Sequence, residues 1–241
     1  VYRSVHEHVR SGHGYGSEGV EEPQGDGMIK KRLFSIVYMF LLTFFFTAMV
    51  SGIHEINRER IAINEEIKIQ KVILKVLGIQ MPPEISDVQI RQTFGERVKP
   101  VEARGRILYR GFAEDRKTVI GFAFPLFGPG FWGPVYGMMA VDPELKKVIG
   151  IAFYRHSETP GLGGRITEAW FENQFRGKLL NPPGERERYF SLVPPGTSKA
   201  ENEVDAITGA TGTSRAVERL IDKNLKDYLP WIAEQQTKGT I

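Results

Sequence analysis

Residues 205–214 read DAITGATGTS, with one carboxylate, Asp205, ahead of Thr208, Thr211, Thr213 and Ser214 set around Gly209 and Ala210. A helical pattern follows, so the stretch ends where unpaired backbone N–H groups and the positive end of the helix dipole attract an anion. Gly209 permits a sharp or left-handed backbone, and Ala210 lets the chain approach something bulky. Capping the helix needs one hydroxyl, from Thr213 or Ser214. That leaves Thr211 placed to meet a phosphate. The plain alternative is an N-cap with more hydroxyls than it needs.

Composition narrows the chemistry. The chain has 241 residues, no cysteine and a net charge of +3, with Lys and Arg spread among Asp and Glu. Nucleic acid is a poor partner for such a distribution. Without cysteine there is no disulfide, thiolate nucleophile or Cys-ligated cluster, so redox chemistry would need a cofactor held another way. No acid–base pair, hydrolase nucleophile or ordered metal-ligand set is read from the chain; His6, His8 and His13 lie in a stretch with no means of ordering them.

Several elements must position the motif. Leu33–Ile53, LFSIVYMFLLTFFFTAMVSGI, has no charge and is long enough for a bilayer core of about 30 Å. It predicts a membrane anchor over 29–53. Residues 1–28, rich in Gly, Ser and Glu, predict a disordered tail. MIKKR before the anchor predicts a native start at Met28, because Gln24-Gly25-Asp26 can be encoded by the ribosome-binding-like CAAGGAGAT. The Lys30-Lys31-Arg32 triplet favours a cytoplasmic N-terminus and an extracytoplasmic domain.

After the anchor, Ile56–Leu77 is helical in pattern and Gly78 stops it, giving a connecting helix within 54–80. A short helix is predicted over Glu84–Phe94, and β-strands over Arg106–Phe112, Val119–Phe124, Val135–Val141 and Val148–Tyr154. FGPGFWGP, residues 127–134, predicts a fixed loop. Ile166–Phe175 is helical in spacing, 181–200 predicts a long loop, and a last helix runs from about Thr213 to Tyr228. The class is α+β: one transmembrane helix, then a mixed sheet-and-helix domain over 81–230, then a tail over 231–241.

DAITGAT resembles the flavinylation motif of the FMN-binding domain family, found in the C subunit of the sodium-pumping NADH:quinone reductase and the G subunit of the related Rnf complex. HSETPGLGG, residues 156–164, is similar to the family's loop against the flavin ring. Pro160 stiffens that loop, Gly161, Gly163 and Gly164 bare its backbone, and Leu162 offers an apolar contact to a flat ring. Glu158 and Thr159 can supply hydrogen bonds, although Glu158 reads equally as a surface carboxylate. GFWGPVYG, residues 130–137, and EEIKIQKVILKVLGI resemble the sodium-pump branch more closely than the Rnf one.

The resemblance covers roughly residues 29–230 and implies FMN joined by a phosphoester to Thr211, through a dedicated flavin transferase acting after export. Thr208 would give a supporting hydrogen bond and Asp205 would serve recognition by the transferase. The implied function is electron transfer within an ion-translocating NADH:quinone or ferredoxin:NAD oxidoreductase, as one component of a complex and not an enzyme alone. Other subunits and the lipid bilayer are the implied partners. The alternatives are an FMN-bearing component of a different extracytoplasmic reductase, and a membrane-tethered binding domain without redox function. Trp132 and Tyr136 read as core aromatics, with contact to the flavin as the alternative; His156 reads as an exposed histidine, with proton donation beside the flavin as the alternative; and Trp231 reads as a residue at an interface with lipid or a neighbouring subunit.

Overall fold

The computed structural model describes residues 25–82, 84–180, 188–239 and 241. Most of the predicted tail, with His6, His8 and His13, lies outside the described residues. The chain divides into two units, residues 1–59 and 60–241. Helix α1, Gly25–Val76, contributes to both. Anchor and connecting segment are therefore one helix, with no break near residue 54, and the helix includes Gly25–Met28 of the segment expected to be tail. Nothing between Ile53 and Ile56 breaks an α-helix, so the hydrogen-bond ladder continues through the change from apolar to charged sequence.

In the first unit the apolar side chains are bare, with Phe34 71% and Phe40 67% exposed. Among the described residues, this is the one helix long and apolar enough to cross a bilayer. From Ile67 onward α1 turns apolar side chains into the second unit, and Ile73, Leu74 and Val76 are fully buried there. Gly78, at φ +72°, then ends it: the Ile79 N–H returns to the Leu74 carbonyl at 3.0 Å.

The second unit is built on a five-stranded antiparallel meander: β1 Val98–Ala103, β2 Arg106–Phe112, β3 Val119–Pro129, β4 Pro134–Val141 and β5 Val148–Arg155. Strand alternation divides its side chains between two cores. Phe122, Phe124, Leu126, Met139, Val141, Ile151 and Phe153 belong to one, with the final helix. Ala123, Met138, Ala140 and Ala152 belong to the other, with the end of α1 and Ile90 of α2. The small residues let α1 lie close: a Cβ on Gly150 would come within 2.8 Å of the Val76 carbonyl oxygen.

Helix α2, Asp87–Arg97, starts from a capping box between Ser86 and Gln89. It begins and ends three residues later than expected, and β1 directly follows; Pro100 had masked that edge strand in the sequence. The expected helix over Ile166–Phe175 is instead a 3₁₀ turn, Gly163–Thr167, and a short α3, Ala169–Asn173. Within the expected loop over 181–200, β6 Ser191–Val193 pairs in parallel with β7 Glu203–Asp205.

Helix α4 runs Thr211–Thr237, longer than predicted at both ends. Pro230 removes one helical hydrogen bond, but Trp231 and Ile232 beyond it are buried at 3% and 0% exposure. Burying two large side chains, at roughly 1.5–3 kcal/mol each, holds the helix through the proline. Of the segment expected to be a tail, residues 231–237 are instead the end of a packed helix, and Trp231 is core, against Tyr228 and Arg106, not an interface residue.

Candidate functional site

The two stretches singled out in the sequence meet at the N-terminus of α4. Gly209 takes the left-handed conformation at φ +75°, which turns the chain from β7 into the helix. Thr208 and Thr211 are exposed on either side of that bend. No side chain caps α4. The N–H groups of Thr211, Gly212 and Thr213 have no acceptor among the described residues, as the first turn of a helix leaves them. An exposed hydroxyl therefore stands on a cluster of unused donors.

The expected caps do something else. The Thr213 side chain points into the protein, 3% exposed, and its hydroxyl donates to Oε2 of Glu158. Ser214 is buried too: Oγ accepts the Ile207 N–H at 3.1 Å and donates to the Ala210 carbonyl at 3.0 Å, bracing the turn. Ala210 is 7% exposed and faces the core, so its small size serves packing and not the approach of a ligand. The helix begins two residues earlier than predicted, and this moves Thr213 from cap position to the buried face.

The 156–164 loop lies directly over this turn. A Cβ on Gly209 would come within 3.3 Å of Leu162 Cδ2, and one on Gly163 within 2.3 Å of Thr213 Oγ1. The Thr159 carbonyl accepts from the N–H groups of Leu162 and Gly164 at 3.2 and 2.9 Å. Gly161, at φ +74°, closes the tight turn so formed and leaves the Leu162 side chain outside, 44% exposed. Thr159 is exposed above it.

Glu158 is no surface carboxylate: it is 3% exposed. Its Oε1 accepts the N–H groups of Phe131 at 2.7 Å and Trp132 at 3.1 Å, while Oε2 takes the Thr213 hydroxyl. His156 is half-buried instead of exposed, because Nδ1 accepts the Glu158 N–H at 3.2 Å. The loop predicted over 127–134 shrinks to the hairpin tip Gly130–Gly133, closed by Gly130 N–H to Gly133 carbonyl at 2.7 Å. At that tip Phe131 and Trp132 are 58% and 68% exposed, so Trp132 is not core.

Phe131 packs against the start of α4, where a Cβ on Gly212 would meet its ring at 2.4 Å. Phe131 and Trp132 stand edge to face, with ring centroids 5.1 Å apart. Phe131 was not singled out from the sequence and Trp132 was assigned to the core; the signal for both was a pair of aromatics bracketed by glycines at a hairpin tip. Tyr136 is half-buried, with Arg155 3.7 Å above its ring and Phe127 beside it.

Asp205 is not drawn into this cluster. Its Oδ1 accepts the Ser198 N–H at 3.1 Å, and backbone hydrogen bonds from the 196–198 turn, led by Ser198, hold its carboxyl below the usual carboxylate range. Its own N–H and carbonyl pair with the Gln174 amide at 2.8 and 3.2 Å. Asp205 thus fixes the approach to the motif. Among the described residues no cluster of His, Asp and Glu is arranged to hold a metal ion.

An exposed hydroxyl and three N–H groups without acceptors at a helix N-terminus thus lie beside the exposed side chains of Leu162, Phe131 and Trp132. Residues 130–226 match the family model described as FMN-binding domain, from the aromatic hairpin tip into α4. The C subunit of the Na(+)-translocating NADH-quinone reductase of Chlamydia muridarum is 32% identical over 133 residues, covering 49% of this chain and 42% of that protein. Its counterpart from Pasteurella multocida is 39% identical over 104 residues, covering 43% and 39%. The chain thus spans less than half the length of these relatives. The crystal structure of the counterpart from Parabacteroides distasonis superposes with a TM-score of 0.62 at 26% identity, over 73% of this chain and 96% of that one. The chain contains a domain matching the FMN-binding domain family, at residues 130–226, and resembles the C subunits of the Na(+)-translocating NADH-quinone reductases.

Proposed function

We propose that this chain is a membrane-anchored electron-transfer subunit that carries FMN through a phosphoester to Thr211, within an ion-translocating oxidoreductase of the NADH:quinone type. The observation that carries the reading is the exposed Thr211 hydroxyl on the first turn of α4, between Leu162 and the Phe131–Trp132 tip. The residues fit the group. Three N–H groups without acceptors at the positive end of the helix dipole favour a phosphate, by roughly 0.3–1 kcal/mol for the charge at the terminus. The exposed Leu162, Phe131 and Trp132 side chains offer a flat ring apolar and aromatic surface.

Such a seat alone holds a nucleotide weakly, so permanent retention needs the covalent bond. A flavin transferase that brings the flavin phosphate as a phosphoanhydride would make it: Thr211 Oγ would attack the flavin phosphorus, the anhydride P–O bond would break, the other phosphate would leave, and the hydroxyl proton would be released. Bound there, FMN supplies one- and two-electron transfer between neighbouring carriers. The chain's own residues hold and orient: α4 seats the phosphate, and the two loops keep the ring at the surface where other subunits can reach it. The protein from cells coexpressing a flavin transferase should give a flavin-fluorescent band on a denaturing gel, with FMN on the Thr211 peptide by mass spectrometry. A band without flavin would overturn the reading.

The Lys30-Lys31-Arg32 triplet supports an extracytoplasmic domain, as does the lack of any cysteine to be oxidised there. Protease added outside spheroplasts should digest the domain, which lies outside from about residue 54 onward, and spare the anchor. Full protection that is lost on lysis would mean the reverse orientation.

A further inference from the structure

The Glu158 carboxylate occupies the one point where three separate segments of the site converge. Its oxygens take two N–H groups from the β3–β4 tip, at 2.7 and 3.1 Å, and the hydroxyl of Thr213 on α4, while its own backbone starts the Leu162 loop. The surrounding glycines are explained by it. A Cβ on Gly130 would lie 2.4 Å from Oε1, and one on Gly163 would lie 2.8 Å from Oε2. Tip and loop have no side chains at these positions because the carboxylate fills the space between them.

We propose that Glu158 is the positioning residue of the site. Buried at 3% exposure, it cannot itself face a ring that lies on Leu162, Phe131 and Trp132. Through its three acceptor contacts it sets those exposed side chains around Thr211 in the apoprotein, before any flavin arrives. Besides the packing of Phe131 on α4, the tip has a single internal backbone hydrogen bond among the described residues, Gly130 to Gly133. Without the carboxylate, Phe131 and Trp132 lose the acceptor that fixes their backbone, and the platform no longer has a single shape.

This inference rests on reading Thr211 as the flavin attachment point, and its test separates the two. Full-length protein in detergent is compared as wild type, Glu158→Ala, Glu158→Gln and Thr213→Val, first without flavin and then after coexpression with a flavin transferase. In the apoproteins, hydrogen exchange at residues 130–133 should accelerate in Glu158→Ala and stay near wild type in Glu158→Gln. The glutamine oxygen can still accept both N–H groups, and its NH₂ can donate to Thr213 Oγ1.

After coexpression, the rate of labelling at Thr211 should fall roughly tenfold or more in Glu158→Ala, as misplacement near 1 Å does to a reacting group. The flavin that does attach should show a flattened visible circular dichroism. Glu158→Gln should restore both, with Thr213→Val in between. Wild-type exchange, labelling and dichroism in Glu158→Ala would overturn the proposal. So would a Glu158→Gln protein as impaired as Glu158→Ala. If the alanine variant does not fold, Thr213→Val decides, and wild-type behaviour there overturns it. If wild type itself takes no flavin, the Thr211 reading fails, while exchange in the apoproteins still tests the clamp.

Discussion

Thr211→Ala should yield a folded protein that carries no flavin. Thr211 is exposed at the first position of α4, and its hydroxyl makes no hydrogen bond to any described residue. Removing it leaves the core, the turn and the Glu158 contacts intact, so stability should change by less than about 0.5 kcal/mol. Flavin fluorescence on a denaturing gel should vanish. Thr213→Ala should behave in the opposite way. Its hydroxyl is buried against Glu158, so stability should fall by about 1–3 kcal/mol while the band remains, since the attachment oxygen is untouched. Thr208 is the other exposed hydroxyl of the motif, but it precedes the left-handed Gly209 and stands off the helix terminus. A fluorescent Thr211→Ala protein, or a mass spectrum placing FMN on Thr208, would show the assignment to be wrong.

What the sequence made legible follows its local physics. Strands β2 to β5 were readable because β-branched and aromatic runs alternate between obvious turns, such as Glu114–Lys117 and Asp142–Glu144, while β1, with Pro100 inside it, was not. The two site segments were readable because each carries its own backbone geometry, with glycines at φ +74° and +75° where chain reversal requires them. Burial was harder, since it depends on what another segment brings. Nothing near Glu158 in the sequence announces that Phe131, Trp132 and Thr213 will surround it from 26 to 55 residues away.

The same reason explains the errors at α4. Thr213 looked like a cap because local patterning could not say which hydroxyl faces Glu158. The last helix was expected to end near Tyr228 because the sequence does not display the core that Trp231 and Ile232 complete. Trp132 looked like core because it is an aromatic in a strand-rich domain, and a hairpin tip is the position where that expectation fails.

Lys75→Met should destabilise the domain at neutral pH, and lowering the pH should recover part of the loss. Glu172 of α3 is 4% exposed; Oε2 meets Lys75 Nζ at 2.6 Å and Oε1 accepts the Phe153 N–H at 3.0 Å. The pair ties the end of α1 to the segment that follows the Leu162 loop. Burial pushes the Glu172 carboxyl above its ordinary value, opposed first by the Lys75 hydrogen bond and then by the Phe153 N–H. A raised carboxyl means the folded state prefers the protonated form. The associated stability is fully present below the unfolded value and is lost as pH rises through the folded one. Removing Lys75 raises the folded value further and widens that window upward. Because the Lys75 side chain is 55% exposed, the cost at neutral pH should be about 1–3 kcal/mol, less than the 3–5 of a fully buried pair. Adding Glu172→Gln to Lys75→Met should recover most of the loss at neutral pH, because a buried amide needs no countercharge and its oxygen still accepts the Phe153 N–H. Denaturant titrations between pH 4 and 8 would check both points. A Lys75→Met deficit that does not change with pH, or one that Glu172→Gln leaves in place, would mean that Lys75 acts by packing its stem and not by balancing the carboxylate.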